Sequence, residues 1–171
     1  MSMNRILIAV DQSDSQSKII DQAIDLAQNL HADMLFIHCL TVPPAVASPP
    51  AGGVAPIEGG PYPAVGMSPN PAVMGSVDIN HQHWDNEVEQ ARSWLRGYCQ
   101  QAIARGVNAE FDCRVGDPKE QICESADTWD ADLIVVGRKG KSGLAEIFLG
   151  SVSNHVVHHA PCSVLVVQNS K

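Results

Sequence analysis

The sequence predicts an α/β fold, a single doubly wound domain with helices on both faces of a five-stranded parallel sheet. Two observations carry the prediction. Short, continuous apolar runs rich in β-branched residues alternate along the chain with stretches whose apolar residues recur at helical spacing. Strands alternating with helices in this way form parallel sheets under crossover helices.

The elements follow in order. Arg5-Ile6-Leu7-Ile8-Ala9-Val10 is the pattern of a strand buried on both faces. Asp11 to Ser17 is thick with Asp and Ser, which supplies helix-capping candidates. Ile19, Ile20, Ala23, Ile24, Ala27 and Leu30 then define an amphipathic helix of about four turns. Met34 to Leu40 is a second buried strand. After a long interruption, Trp84, Val88, Ala91, Leu95, Tyr98 and Ala102 fall on one helix face. Residues 109–115 alternate and read as a half-buried strand. Pro118 suits the first turn of a short helix running to about Thr128. Leu133 to Val136 is the fourth strand, 151–159 a helix stopped by Ala160-Pro161, and Ser163 to Gln168 the fifth strand.

The interruption, residues 43–80, holds nine of the eleven prolines, six of the thirteen glycines and no Lys or Arg. That composition argues against a helix or a central strand and marks an insertion between the second strand and the next helix. It leaves the carboxyl end of a strand, so a lid or a docking arm for a protein partner is the functional expectation, and a disordered surface loop the bland one.

Bulk properties narrow the functional classes. A chain of 171 residues is enough for one compact domain. A net charge of −8 argues against a nucleic-acid-coating surface, because phosphate backbones require clustered Lys and Arg. The beginning, MSMNRILIAVDQ, is not the pattern of a secretory signal, and no apolar run is long enough for a membrane span. The cysteines at 39, 99, 113, 123 and 162 are odd in number and contain no C-x-x-C, so they read as reduced thiols in a cytoplasmic protein.

Ligands of open parallel sheets bind beyond the carboxyl ends of the strands, where the strand order reverses. The first strand ends in Asp11. The fourth ends in Gly137, where a missing side chain permits close approach to the backbone. Gly150-Ser151-Val152-Ser153 opens the last helix, whose first N–H groups and two hydroxyls suit an anion. Chemistry alone therefore places a phosphate on 150–153 and a sugar or base toward Asp11. The bland alternatives are Asp11 as a helix cap and Gly137 as a turn residue. Gly140-Lys141-Ser142 imitates the end of a Walker A loop, but the residue five before Gly140 is Val135, not glycine.

Gly137-x2-Gly140-x9-Gly150-Ser151 resembles the nucleotide-binding signature of the universal stress protein family, G-x2-G-x9-G-[S/T]. ILIAVDQS at 6–13, FIHC at 36–39, VGDPKEQI at 115–122, ADLIVVGRKG at 131–140 and APCSVLVV at 160–167 resemble that family's segments in the same order. The resemblance covers most of the chain and implies one such domain over residues 1–171, of the adenine-nucleotide α-hydrolase-like architecture, with strand order 3-2-1-4-5. It implies binding of ATP (or AMP or ADP), with Mg2+ as an optional companion. By position, Asp11 would hold the ribose or adenine end and Cys39 would meet adenine through its main chain. Val136 and Gly137 would flank the nucleoside. Gly140, Gly150, Ser151, Val152 and Ser153 would hold the phosphates, with Arg138 a nearby charge. The 43–80 stretch departs from the family by its length and proline content.

In the implied order the fifth strand is an apolar sheet edge, which pairing with a second copy would cover. The resemblance likewise implies a homodimer through 163–168. The functional expectation is a nucleotide-responsive switch or binding module in stress response, with no catalytic residue assigned and at most slow turnover, because no general base is evident. A slow ATPase or an autophosphorylating phosphotransferase using Ser151 or Ser153 is the enzyme alternative. A flavodoxin-like carrier, suggested by the hydroxyl-rich DQSDSQS, and an interaction protein without nucleotide are the others. His155, His158 and His159 share a helix edge, but no carboxylate or Cys spacing joins them, and His at a helix end has a dipole reason; no metal is assigned.

Overall fold

The computed structural model describes residues 3–12, 16–41, 71–138 and 149–168, and of residues 71–81 the backbone alone. The elements are β1 (Arg5–Ala9), α1 (Gln16–Leu30), β2 (Asp33–Leu40), α2 (Pro71–Ala104), β3 (Ala109–Val115), α3 (Pro118–Thr128), β4 (Leu133–Gly137), α4 (Ser151–His159) and β5 (Ser163–Val167). Their pairings are parallel and the sheet order is β3-β2-β1-β4-β5. The expected α/β fold with order 3-2-1-4-5 is therefore the observed one.

Successive strand residues point to opposite faces of a sheet, and here both faces are apolar because both are covered. Ile6, Ile8, Met34, Phe36, Leu133 and Val135 pack with Ile20 and Ile24 of α1 and Leu95 and Cys99 of α2. Leu7, Leu35, Ile37, Ile134 and Val136 pack with Ile122 and Ala126 of α3 and Val156 of α4. This is why β1 and β4 read as continuous apolar runs. The edge strand β5 alternates exposed and half-buried residues until Val167.

The chain divides into two compact units, one of residues Met1–Thr41 and Val88–Lys171, the other Val42–Glu87. The first contains the whole sheet. In the second, the described residues are the opening part of α2, where His83 Nε2 lies 3.3 Å from a Glu87 carboxylate oxygen. Composition argued against a helix anywhere in 43–80, and that fails for 71–80, which are helical. Pro71 is the first helical residue, where a missing N–H costs nothing, and the lone Gly75 costs only about 1 kcal/mol within a long helix. Residues 43–70 lie outside the described residues.

A carboxylate fixes the opposite end of the sheet from the strand exits. Asp132 Oδ2 accepts hydrogen bonds from the backbone N–H groups of Asn4 (2.8 Å) and Arg5 (3.0 Å). Arg5 donates in turn to the Trp129 carbonyl at 2.8 Å and lies 5.6 Å from the centre of the Trp129 ring. These contacts set where β1 begins against β4. Asp132→Ala is expected to cost about 1 kcal/mol, because water can replace the carboxylate at these exposed donors and only the net worth of the two hydrogen bonds is lost. Thermal unfolding measures this as a melting temperature lower by roughly 2–4 °C.

Candidate functional site

The strand order makes the chain leave β1 toward one side of the sheet and β4 toward the other, so a crevice opens between their carboxyl ends. A cavity of about 220 Å³ occupies it. Asp11, Cys39, Val136, Gly137, Arg138, Gly150, Ser151, Val152 and Ser153 all border this one cavity. Gly140, with Lys141 and Ser142, lies outside the described residues.

Local structure explains how each arrives there. The backbone N–H of Val10 donates to the Ile37 carbonyl at 2.9 Å, and His38 Nδ1–H donates to the Val10 carbonyl at 2.8 Å. Both bonds hold the exit of β1 against β2 and present the next residue, Asp11, to the crevice. Helix α1 is described from Gln16 on; the capping alternative for Asp11 falls on residues 13–15, which lie outside the described residues. At the end of β4, the Arg138 N–H donates to the Val167 carbonyl at 2.9 Å, prolonging the pairing with β5.

Gly137 has a reason beyond the one expected. A Cβ built there would lie 2.6 Å from Cδ1 of Ile19, a separation that forces the side chain to move. The glycine therefore leaves room for the tip of the Ile19 side chain over the end of β4.

Three helix starts share the cavity wall: Gln16 of α1, Pro118 of α3 and Ser151 of α4. The start of α3 is satisfied by its own cap, Asp117, whose Oδ1 accepts from the Lys119 N–H at 2.9 Å. The start of α4 differs. Gly150 is extended (φ −60°, ψ 160°) and, among the described residues, no side chain caps the helix. Its first helical bond runs from the Asn154 N–H to the Gly150 carbonyl, 2.9 Å, so the N–H groups of residues 151–153 face outward without an acceptor within the helix. Ser153 is buried and its hydroxyl donates to the Gly150 carbonyl at 3.0 Å, whereas Ser151 is exposed. Partial positive charge from unpaired N–H groups makes this end suited to an anion.

The other wall is chemically quiet. Burial pushes the Cys39 thiol from its ordinary 9.0 up to about 12, with Cys113 adding to the shift. Cys39 therefore lines the cavity as a neutral, weakly polar surface. Burial, and next the Asp11 carboxylate, raise the Tyr98 phenol. All five cysteines are free thiols, and none shows a lowered pKa. On α4, His155 and His159 stack with ring centres 4.0 Å apart, and the His159 Nδ1–H donates to the His155 carbonyl.

Sequence reasoning missed Gln16, Ile19, His38, Pro118 and Ile122, which also line the cavity. His38 is a polar residue inside an otherwise apolar strand, which by itself does not say that it faces the cavity. Gln16 carried no such mark.

Comparison with known proteins bears on the family and the fold. The universal stress protein family model matches residues 3–64 and 59–168. Universal stress protein Sll1388 of Synechocystis is 37% identical over 169 residues, covering 99% of this chain and 100% of its own length. Universal stress protein YxiE of Bacillus subtilis is 30% identical over 169 residues, covering 96% of this chain and 99% of its own. Three solved structures share the fold. A universal stress protein in complex with cAMP has TM-score 0.60 at 23% identity, covering 99% of this chain and 100% of its own. One from Arabidopsis thaliana with AMP bound has 0.58 at 18%, covering 98% and 92%. One from Archaeoglobus fulgidus in complex with dAMP has 0.56 at 20%, covering 97% and 98%.

The Cys39 thiol has a consequence for stability. Its pKa is higher in the folded chain, so its contribution is present below pH 9 and is lost as pH rises from about 9 toward 12, where only the unfolded chain is ionised. Melting temperature is expected to fall progressively above pH 9, and Cys39→Val to fall less steeply over the same range. Parallel curves for the two proteins would show that the thiol does not couple to folding.

Proposed function

Starting from the chain's membership of the universal stress protein family, we propose that the cleft at the ends of β1 and β4 binds an adenine nucleotide, ATP or its products ADP and AMP, and that the protein acts as a nucleotide-responsive binding module in a stress response. The observation that carries this reading is the convergence of Asp11, Cys39, Gly137 and the uncapped start of α4 on a single cavity. Phosphate belongs on the N–H groups and hydroxyl at Gly150 to Ser153, with Gly140 and Arg138 beside it. The nucleoside lies along Val136 and Gly137. Asp11 takes the ribose or base, and the Cys39 main chain meets the adenine edge. Mg2+ would accompany a triphosphate. Fold relatives with AMP, dAMP and cAMP bound support the ligand class.

Cytoplasmic reduced thiols and adenine nucleotides fit one compartment, and this reading places the protein there. It also makes the protein a homodimer. Strand β5 is a sheet edge on which Leu165 is 39% exposed and Val164 and Val166 are half-buried, and a second copy pairing there would cover it.

A second reading, phosphoryl transfer from ATP to a serine with release of ADP and a proton, is favoured at Ser151 over Ser153. The hydroxyl of Ser153 is buried and already donates to the Gly150 carbonyl, whereas Ser151 is exposed beside the proposed phosphate position. Phosphate mass on Ser151 after incubation with ATP decides it.

Gly150→Leu tests the main reading cleanly, because the backbone at Gly150 is a conformation any residue adopts. The expected result by titration calorimetry is at least about a hundredfold loss of ATP and AMP affinity, with the melting temperature lower by a few degrees because leucine is a poorer N-cap than glycine; affinity like that of the wild type would sink the placement of the phosphate. Val166→Lys is expected to convert a dimer to monomer in sedimentation. A wild-type chain already monomeric at micromolar concentration would remove the dimer.

A further inference from the structure

Gln16 opens α1, borders the cleft, and is only 4% exposed. Its Nε2 is buried and has no hydrogen-bond partner. Buried polar groups are almost always paired, so an orphaned carboxamide asks for an explanation. Its neighbours in the helix do not supply an acceptor: the next inward-facing residues are Ile19 and Ile20, and α1 has no acidic residue in its first turn. A methionine of equal length would fill the same space without an unpaired donor.

The electrostatics of the cleft select the kind of acceptor. Gln16 sits at the positive end of a helix of 15 residues. The same cavity is bordered by the start of α4, which no side chain of the described residues caps. Two positive helix ends and a neutral donor surround one space, an arrangement that stabilises an anionic oxygen more than a hydroxyl. Asp11 is the acidic residue on this wall among those described, and it disfavours an anion on its own side. We propose that the Gln16 carboxamide donates a hydrogen bond to a phosphate oxygen of the bound nucleotide, which makes it a specificity-determining residue separating nucleotide from nucleoside. The inference rests on the nucleotide reading above and adds a second anchor for phosphate, on α1, to the one on α4.

The test is calorimetric titration of the full chain with AMP and with adenosine, for wild type, Gln16→Met and Gln16→Glu. Methionine keeps the volume and removes the donor; glutamate keeps the shape and introduces a negative charge. Gln16→Met is expected to bind AMP about tenfold more weakly and adenosine within about twofold of wild type. Gln16→Glu is expected to lose more AMP affinity than Gln16→Met and to keep adenosine. Melting curves report whether each variant is folded, and Gln16→Glu carries the test if Gln16→Met is not. Undiminished AMP binding by Gln16→Met overturns the proposal and assigns Nε2 to a buried water. Equal losses for AMP and adenosine overturn it in favour of a sugar or base contact. A wild-type chain that binds AMP no better than adenosine removes both this inference and the phosphate reading it rests on, whereas failure of the variants alone leaves that reading standing.

Discussion

Strand β1 is paired on both sides in step: Leu7 stands opposite Leu35 of β2 and Ile134 of β4, and Ala9 opposite Ile37 and Val136. Because the pairings are parallel, all three strands run out along one edge, and the backbone that leaves them must find new partners there. Val10 finds the Ile37 carbonyl and the His38 ring, and Arg138 finds the Val167 carbonyl. The helices that carry the chain back begin on that same edge, which is why three helix starts, a carboxylate and a glycine share a single crevice. The chemistry of the site is thus a by-product of how a parallel sheet must be connected.

The two ends of the sheet are held by different means. At the beginning of β1, the Asp132 carboxylate accepts from two successive backbone N–H groups and sets the position of the strand. At the strand exits, close packing takes over: Ile19 occupies the space that a side chain on Gly137 would need. The glycine leaves room for the tip of that flexible side chain and keeps the crevice floor open, so a substitution there is met first by a shift of Ile19.

Much of this was legible in the sequence. Apolar runs such as RILIAV and LIVV announce buried strands because both faces of a parallel sheet are covered, and the order of runs and helical stripes then determines the fold class. Asp11, Gly137 and Gly150 to Ser153 stood out because each departs chemically from the run it terminates. The helix at 71–80 did not, because a count of proline and glycine says nothing of position, and at the first helical position proline is an initiator. Gln16 and His38 escaped for another reason. Polar residues in a strand or helix do not reveal whether they are buried, and the contact of Ile19 with Gly137 joins residues far apart in the chain.

The thiols add one last property to the crevice. Oxidants and alkylating agents attack the thiolate, and its supply falls as the pKa rises. Burial raises every cysteine here, Cys39 to about 12 and Cys99 to about 11, so at neutral pH almost no thiolate is present. A crevice walled in part by Cys39 therefore offers an oxidant a slower target than an ordinary thiol would.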